Sequence, residues 1–550
     1  MKTDIEISNE CNMLNIKDVA NKLNINEDYL ECYGKYKAKI NLAINNELNK
    51  EDGKLILVTS INPTPYGEGK TTVSIGINDS LRKLNKNSIV VLREPSLGPV
   101  FGIKGGATGG GYSQVVPMED INLHFTGDIH AIEMANNLLC AIIDNHIYQG
   151  NELEIDKVVF SRCIDLNDRA LRNVEIKYDN KGLKRIDNYN ITVASEMMAI
   201  LCTSENIEDL KKRIGNILIG YNKYGKMIFA RDLNCVGAIA LLLKDAIKPN
   251  LVQTLENNPA IIHGGPFANI AHGCNSIIAT KLGLKLSDYV VTEAGFGADL
   301  GAEKFLDIKC GIANLKPNCI VINATIRSLK YNGGVEKDKI NIENIEALKK
   351  GIANLKRHIE NMSKYTKNIV VCLNKFDYDT TNEIKYVKEF IENMGYYIEV
   401  CDSFKNGSLG AIELAKKIIQ LCNNECDFKQ LYEYEDTILN KINKICKEIY
   451  RADNVIISND IINKIKVVEE NNLDKLPICI AKTQYSFSDD PKKLGAPNNF
   501  DMTVTDIKIS SGAGFIVVLM GNTMTMPGLG KNSAYLNMNL DNNGNIKGLF

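Results

Sequence analysis

The residues with the clearest chemical potential lie in one segment, which reads Val-Thr-Ser-Ile-Asn-Pro-Thr-Pro-Tyr-Gly-Glu-Gly-Lys-Thr-Thr over positions 58–72. An apolar run precedes it and a helical pattern follows, so the turn would point backbone N–H groups and a helix dipole at one place. Lys70 would reach the outer phosphates of a nucleoside triphosphate, and the Thr71 hydroxyl would hold magnesium. Thr64 stands where the usual pattern has its first glycine, and an accidental turn is the alternative. The predicted nucleotide-binding residues are Thr64, Pro65, Tyr66, Gly67, Glu68, Gly69, Lys70, Thr71 and Thr72.

A second glycine-rich segment follows the next apolar run. Six glycines lie between positions 102 and 111, and glycine weakens helices and strands alike. The tract therefore suits a backbone that approaches a ligand closely. Arg93 and Lys104 would bring two cations to the same strand end, as a compact anion such as an acyl phosphate requires; a solvated surface loop is the alternative. The predicted substrate-loop residues are Arg93, Glu94, Lys104, Gly105 and Gly106.

Acidic groups and two of the six histidines cluster in residues 116–132. We predict that Asp128 poises an amine nucleophile or accepts a proton from it. His124 and His130 are possible metal ligands, but the spacing suggests no third ligand, and catalytic zinc uses three. The sequence leaves these histidines open between a functional role and a hydrogen-bonded structural role.

Apolar runs that alternate with helical patterns must position these segments. Apolar residues at helical spacing predict a helix over 72–84, and an amphipathic helix is predicted over 342–361. The alternation predicts a parallel sheet covered on both faces by helices. The predicted fold class is therefore α/β, with a P-loop NTPase-like large domain and two smaller α/β domains. The predicted strands are 54–59, 88–92, 157–160, 289–292, 319–323, 368–373, 507–510 and 515–519.

Composition excludes several classes of protein. The chain of 550 residues has 44% hydrophobic and 24% charged residues, which is typical of a globular protein of several domains. A net charge of −2 gives no basic face for nucleic acid. No apolar run approaches the roughly 18 residues of a membrane span, and the N-terminal residues lack the pattern of a signal peptide. Fifteen scattered cysteines are expected to be free thiols in a reducing cytoplasm.

Six phrases, in order, resemble formate–tetrahydrofolate ligase, also called formyltetrahydrofolate synthetase. The resemblance extends from the segment 58–72, which we call the predicted phosphate loop, almost to the last residue. The phrases lie at 64–72, 102–112, 291–299, 322–334, 482–491 and 524–529.

This resemblance implies an enzyme of one-carbon metabolism that uses ATP to join formate to N10 of tetrahydrofolate, with formyl phosphate as the intermediate. Lys70 and Thr71 would serve ATP and magnesium, and Arg93 would hold formyl phosphate. Asp128 would act at the amine end of the folate. The resemblance also implies a cytoplasmic homotetramer stimulated by a monovalent cation such as K⁺ or NH4⁺. Changes in pattern along the chain predict domain boundaries near 360 and 456. With the resemblance, they predict a nucleotide-binding domain over 1–360, a folate-binding domain over 361–455 and a C-terminal domain over 456–550.

The resemblance places the folate between two aromatic faces. Phe376 matches the family's phenylalanine after an Asn-Lys pair, and Phe404 stands where the family usually has tryptophan. Phenylalanine still offers a ring face, but we expect folate binding weaker by roughly 0.5–1.5 kcal/mol, the size of one aromatic pair. Core packing is the alternative for both rings. Other departures from the family pattern are Thr108, Asp377, Ser408 and Gly530.

Two other functions fit parts of the sequence. Asn374-Lys375-Phe376-Asp377 matches the phrase by which GTPases read guanine, which makes a P-loop GTPase one alternative. Against it, the phrase lies about 300 residues after the phosphate loop, much farther than in a compact GTPase domain. A relative that has lost folate binding is the other alternative, because tryptophan is absent. Glu293 and Asp299 are further candidates for positioning magnesium or formate, and for Glu293 the capping of a turn is the alternative.

Overall fold

The computed structural model describes residues 2–65, 67–102, 107–178, 184–521 and 523–549. The strands are β1 (Leu30–Cys32), β2 (Ala38–Ile40), β3 (Lys54–Ser60), β4 (Ser88–Leu92), β5 (Gly109–Gly110), β6 (Ser113–Val116), β7 (Ile155–Val158), β8 (Arg162–Ile164), β9 (Val174–Lys177), β10 (Lys184–Asp187), β11 (Tyr189–Ile191), β12 (Leu218–Asn222), β13 (Met227–Phe229), β14 (Asn250–Thr254), β15 (Pro259–Ile262), β16 (Tyr289–Glu293), β17 (Cys319–Ala324), β18 (Ile369–Asn374), β19 (Tyr397–Cys401), β20 (Val455–Ile456), β21 (Ile478–Ala481), β22 (Met502–Ser510), β23 (Phe515–Met520), β24 (Asn539–Leu540) and β25 (Ile546–Lys547).

The α-helices are α1 (Asp4–Asn9), α2 (Ile16–Asn21), α3 (Lys70–Lys83), α4 (Leu97–Phe101), α5 (Met118–Asn122), α6 (Asp128–Tyr148), α7 (Glu196–Thr203), α8 (Ile207–Gly215), α9 (Val236–Leu242), α10 (Ile277–Leu286), α11 (Cys310–Ala313), α12 (Ile326–Asn332), α13 (Ile345–Met362), α14 (Thr381–Asn393), α15 (Ser403–Asn406), α16 (Ile412–Cys422), α17 (Ile438–Lys444) and α18 (Asn459–Glu470). Three further segments are π-helical, namely Ala298–Ala302, Phe305–Lys309 and Ile445–Tyr450.

A large mixed sheet organises the fold and confirms the α/β prediction. Its strands run in the order β1-β2-β14-β15-β4-β16-β3-β17-β18-β19, with β5 and β6 attached beside β14. Neighbours from β15 to β19 pair in parallel, whereas β1, β2 and β14 pair antiparallel. The phosphate-loop strand β3 is therefore central, and the ends of β4, β16, β17 and β18 lie beside its own end.

Both faces of β3 are buried, which explains its continuous apolar sequence. Successive side chains of a strand point to opposite faces. Leu55 and Leu57 belong to one apolar core, whereas Ile56 and Val58 belong to another on the other face. The first core includes the apolar side of α13, and the second includes that of α3. The layers of sheet and helix thus fix where β3 ends and α3 begins.

The predicted strands that flank the phosphate loop agree with the structure to within one residue at each end. Strand 507–510 begins earlier than predicted, at Met502 of β22. Strand 157–160 differs more, because we expected it among the runs that build the parallel sheet. The observed strand, β7, pairs antiparallel with β12 in a separate three-stranded sheet. Asp156 and Lys157 are exposed, so this strand is half-solvated rather than buried on both faces. Its assignment to the parallel sheet was wrong.

Several other predicted features can be compared with the structure. The helix predicted over 342–361 is α13, whose N-cap is Asn344; its side chain accepts a hydrogen bond from the Ala347 N–H. The helix predicted over 72–84 begins earlier, at Lys70. Residues 428–472, beyond the predicted strand 368–373, contain α17, the π-helical segment Ile445–Tyr450, the short strand β20 and α18. Hydrogen bonding continues from β17 to β18 across residue 360, and the predicted domain division stays a prediction.

Within the described ranges, no helix combines the length and the apolar character that crossing a membrane requires. All fifteen cysteines lie in these ranges and are free thiols, as predicted.

Candidate active site

The phosphate loop connects the end of β3 to the first residue of α3. Gly69 caps the helix in the left-handed region, with φ of 67°. A Cβ atom at this position would lie 2.6 Å from Nδ2 of Asn374, so both backbone conformation and space require glycine. Gly67 also has a positive φ, of 73°, but open space surrounds it. Tyr66, a predicted member of the loop, lies outside the described residues.

The buried side chain of Glu68 holds the loop from inside. Its Oε1 accepts hydrogen bonds from the Thr64 N–H, at 3.0 Å, and hydroxyl, at 2.8 Å. Its Oε2 accepts from the Thr325 hydroxyl at 3.0 Å. The Glu68 backbone carbonyl accepts from Nδ2 of Asn323, at 2.6 Å, and of Asn374, at 3.0 Å. Thr64 therefore replaces the usual glycine with a group that closes the loop.

Lys70 lies where α3 meets the sheet. Its Nζ donates to the hydroxyl of Ser60 at 3.3 Å and to the backbone carbonyl of Phe296. These two acceptors come from the end of β3 and from the loop after β16. The ammonium group is thereby held beside the helix N-terminus, where backbone N–H groups already favour an anion.

Thr71 connects the loop to the neighbouring strand. Its hydroxyl donates to Oε2 of Glu293 at 2.9 Å. Glu293 ends β16 and pairs with Val58 of β3, so the parallel register places its carboxylate beside the loop. Glu293 is buried, with 2% of its surface exposed. A hydroxyl and a carboxylate oxygen at one point form a donor set that fits Mg²⁺.

Arg93 brings a cation to the same edge from the next strand. It follows β4, which pairs with β16, and its Nη2 lies 3.9 Å from Oε1 of Glu293. Nη1 donates to the Pro266 carbonyl at 3.4 Å. A Cβ atom at Gly295 would lie 2.9 Å from Nη1, so glycine leaves the space that the guanidinium occupies. The side chain of Arg93 is 24% exposed and can reach a ligand.

A cluster of buried, hydrogen-bonded polar side chains contacts the predicted phosphate loop at Asn62. Asn62 donates from Nδ2 to Oδ1 of Asp299 at 3.1 Å, and Lys482 donates to Oδ2 at 2.9 Å. The side chains of Asp299 and Lys482 are fully buried, and burial lowers the pKa of Lys482. His358 of α13 accepts at Nε2 from the Asn62 N–H at 3.1 Å, and burial lowers its pKa to about 4. His358 is therefore a neutral acceptor.

The sequence did not assign roles to Asn62, His358 or Lys482. Asn62 lies inside the phosphate-loop segment, and Lys482 begins one of the phrases that carry the resemblance, so the signal for these two was position alone. His358 lies on the apolar side of the predicted amphipathic helix over 342–361, where a structural histidine is equally expected, so the sequence carried no specific signal for it.

Asp128 lies at the start of α6 in a buried ion pair. Its Oδ1 accepts from Nζ of Lys39 at 2.6 Å, and its Oδ2 accepts from Nδ2 of Asn250 at 2.7 Å. The carboxylate is 1% exposed. A direct role at the folate amine would require these bonds to open, and it stays a prediction. The nearby His124 and His130 are exposed.

The other substrate-loop residues are only partly described. Glu94 is 4% exposed, and burial together with the nearby charge of Asp128 raises its pKa well above the ordinary value. Its Oε2 has no hydrogen-bond partner among the described residues. Lys104, Gly105 and Gly106 lie outside the described ranges.

Phe376 and Phe404 follow two adjacent strands. Asn374 ends β18 and pairs with Cys401, which ends β19, so the two rings follow the same edge of the sheet. The guanidinium carbon of Arg327 lies 3.7 Å from the centroid of the Phe376 ring. Both phenylalanines are half-buried. The structure thus brings two aromatic side chains to the edge that carries the phosphate loop.

The glycine tract packs against the short helix α15, which contains Phe404. The Tyr112 N–H donates to the Phe404 carbonyl at 2.8 Å. A Cβ atom at Gly111 would lie 2.0 Å from that carbonyl oxygen and 2.9 Å from Cγ of the ring. The tract therefore approaches Phe404 at a distance that only glycine permits, as its composition suggested.

The described residues contain no group of three or more histidine, cysteine or acidic side chains arranged to hold a metal by themselves. The site instead combines the predicted phosphate loop, the guanidinium groups of Arg93 and Arg327, the Thr71–Glu293 hydroxyl–carboxylate pair and two aromatic rings along a single sheet edge. The family model that matches this chain is described as formate–tetrahydrofolate ligase, and it matches residues 2–550.

Proposed function

Because the chain belongs to the formate–tetrahydrofolate ligase family, we infer that this sheet edge is where ATP, formate and tetrahydrofolate meet. The chain is an ATP-dependent formate–tetrahydrofolate ligase, and the family match gives no support to the GTPase alternative. The contact between Thr71 and Glu293, beside Lys70 and Arg93, is the observation that carries the proposed mechanism.

The first half of the proposed mechanism activates formate. An oxygen of formate attacks the γ-phosphorus of ATP, the bond to the β–γ bridging oxygen breaks, and ADP leaves. Formyl phosphate results. Direct attack of the amine on formate would have to expel oxide, which is a very poor leaving group. Attack on formyl phosphate expels phosphate, which leaves readily. Phosphoryl transfer needs positioning and charge neutralisation more than covalent help from the protein.

Residues of the phosphate loop provide both the positioning and the charge neutralisation, as they would in a P-loop NTPase. The N-terminus of α3 binds phosphate oxygens, and Lys70 neutralises charge at the γ-phosphate. Thr71 and Glu293 would hold Mg²⁺, whose charge neutralises the β- and γ-phosphates when it is bound. Glu68 keeps the loop in its binding shape through Thr64 and Thr325. Pro65, Gly67 and Thr72 complete the loop.

The second half transfers the formyl group. The folate amine attacks the formyl carbon. The bond between this carbon and the oxygen that bridges it to phosphorus breaks, phosphate leaves, and the amine proton passes to a base. Arg93 binds the phosphate oxygens of the intermediate through charge-assisted hydrogen bonds and stabilises the charge that develops. Phe376 and Phe404 hold the pterin by stacking. Arg327 covers the Phe376 ring and fixes its position.

Two variants separate the halves of this mechanism. Lys70→Ala should abolish ADP formation, because γ-phosphoryl transfer loses its neutralising cation. Arg93→Ser should spare ATP binding, measured by equilibrium titration, but lose formyl transfer. With formate labelled by ¹⁸O, the wild type should place one labelled oxygen in the released phosphate. Normal turnover by Arg93→Ser, or unlabelled phosphate, would contradict the mechanism.

Other properties implied by the family resemblance are part of this proposal. They are assembly as a homotetramer, stimulation by K⁺ or NH4⁺, a cytoplasmic location and a folate-binding domain over 361–455. The position of β18 and β19, which carry Phe376 and Phe404 at their ends, supports the placement of folate in that region.

A further inference from the structure

An N-terminal carboxylate lies in the wall of the proposed folate site. Asp4 is the first residue of α1, and its Oδ1 accepts a hydrogen bond from the Gly111 N–H at 2.8 Å. Its backbone carbonyl accepts from Nε2 of Gln114 at 3.0 Å. These bonds join the chain's first helix to the glycine tract, more than 100 residues later in the sequence.

The carboxylate and the Phe404 ring meet at one glycine. A Cβ atom at Gly110 would lie 3.1 Å from Oδ2 of Asp4 and 3.1 Å from Cε2 of Phe404. The next glycine, Gly111, approaches the same ring at Cγ. Asp4 therefore lies at the rim of Phe404, beside the aromatic side chain to which we assign pterin stacking.

One oxygen of this carboxylate is available to a ligand. Asp4 is half-buried, and Oδ2 accepts no hydrogen bond from any residue that the structure describes. Partial burial raises the pKa of Asp4, while the Gly111 N–H acts in the opposite direction. Each carboxylate oxygen has two lone pairs, so Oδ1 can also accept a second hydrogen bond.

A carboxylate beside an aromatic ring suits a flat heterocycle with two adjacent N–H donors. The pterin of tetrahydrofolate has such a pair, its ring N3–H and its 2-amino group. We propose that Asp4 binds the pterin ring of tetrahydrofolate by accepting hydrogen bonds from these two donors at the rim of Phe404. This inference rests on the proposed function and adds the residue that would recognise the pterin edge.

The test uses Asp4→Asn, which keeps an oxygen for the Gly111 N–H but replaces the open acceptor with an amide donor. We expect the KM for tetrahydrofolate to rise about tenfold, since a charge-assisted pair is lost. The kcat at saturating folate and the KM values for ATP and formate should change less than twofold. Glu10→Gln is the matched control, because this exposed carboxylate of the same segment pairs only with Lys2 among the described residues.

A substrate analogue separates recognition from anchoring of the helix. Tetrahydrofolate without its 2-amino group should bind wild type about tenfold more weakly than the natural substrate, and Asp4→Asn should no longer discriminate. Thr3→Ala loosens the cap of α1 but leaves the carboxylate, so discrimination should persist in that variant. An unchanged KM in Asp4→Asn, or a raised KM with full discrimination, would overturn the inference.

The folate site itself is tested separately by Phe404→Ala. If this variant leaves the folate KM unchanged, the proposed stacking site is wrong and the Asp4 inference falls with it. If Phe404→Ala raises the KM but Asp4→Asn does not, only the role of Asp4 is overturned.

Discussion

The hydroxyl of Thr71 donates a 2.9 Å hydrogen bond to Oε2 of Glu293, so the first turn of the phosphate-loop helix is joined to the end of the neighbouring strand. The two residues are 222 positions apart in sequence. Parallel pairing of β3 with β16 brings them together, because the register places Glu293 opposite Val58.

This contact predicts a magnesium phenotype for Glu293→Gln. The amide keeps the size of the side chain but removes the charge that would hold Mg²⁺ with Thr71. Activity should fall about 10- to 100-fold, in the range for losing a group that orients a metal site. A higher Mg²⁺ concentration should restore part of the lost activity in steady-state assays. The exposed Glu413→Gln is the control; equal activity in both variants would exclude a metal role for Glu293.

A pair of glycines tests the geometry of the loop. Gly69→Ala combines a positive φ with a Cβ atom 2.6 Å from Nδ2 of Asn374, whereas Gly67→Ala has the positive φ alone. Both variants incur the left-handed strain of about 1–2 kcal/mol, but only the first displaces Asn374 and its bond to the Glu68 carbonyl. We therefore expect a larger loss of ATP affinity for Gly69→Ala in calorimetric titrations. Equal losses would show that the Asn374 contact is unimportant.

Phe404 should limit folate affinity. Phe404→Ala should raise the KM for tetrahydrofolate, and Phe404→Trp should lower it by the equivalent of roughly 0.5–1.5 kcal/mol, because the indole offers more ring area. Tyr397→Ala is the control, since this exposed aromatic residue lies at the opposite end of the same strand β19. Unchanged KM values in both Phe404 variants would refute the stacking role.

Stability should depend on pH through Glu196. The Gly512 and Ala513 N–H groups donate to its Oε1, yet burial raises its pKa from 4.5 to about 7. The folded state therefore holds a proton that the unfolded state releases. The stabilising contribution is fully present below about pH 4.5 and is lost as the pH rises through 7.

Glu196→Gln removes this titration. Its free energy of unfolding, relative to wild type, should increase between about pH 4.5 and pH 7 by up to about 1.4 kcal/mol per pH unit and should level off at higher pH. Urea unfolding at a series of pH values measures the free energy of unfolding of the variant and of the wild type. Other buried carboxyl groups contribute equally to both, so their contribution cancels in the difference. The exposed Glu208→Gln should show no such trend. A constant difference for Glu196→Gln would contradict the raised pKa.

The sequence predicted the central strands well because their patterns are local. A strand buried on both faces, such as β3, is apolar throughout, and a phosphate loop has a recognisable order of glycine, lysine and threonine. Strand 157–160 was misplaced because a short apolar run does not show which sheet it joins.

The supporting contacts of the site could not be predicted in the same way. The bonds from Asn62 to His358 and to Asp299 span 296 and 237 residues, and the bond from Asp4 to Gly111 spans 107. Such pairs depend on the register of the sheet and the packing of helices, which local periodicity does not determine. For Asp128 the local sequence indicated a role in the site but not its structural surroundings. Its side chain lies in a buried ion pair with Lys39, which the sequence did not predict.

The most direct test is formation of 10-formyltetrahydrofolate from MgATP, formate and tetrahydrofolate, with each substrate omitted in turn. We expect product only when all three are present, with ADP and phosphate formed in equal amounts. ADP release without formyl-folate would contradict the proposed folate site and point to a relative that has lost folate binding. No ADP from any combination would contradict the assignment of the phosphate loop to formate activation.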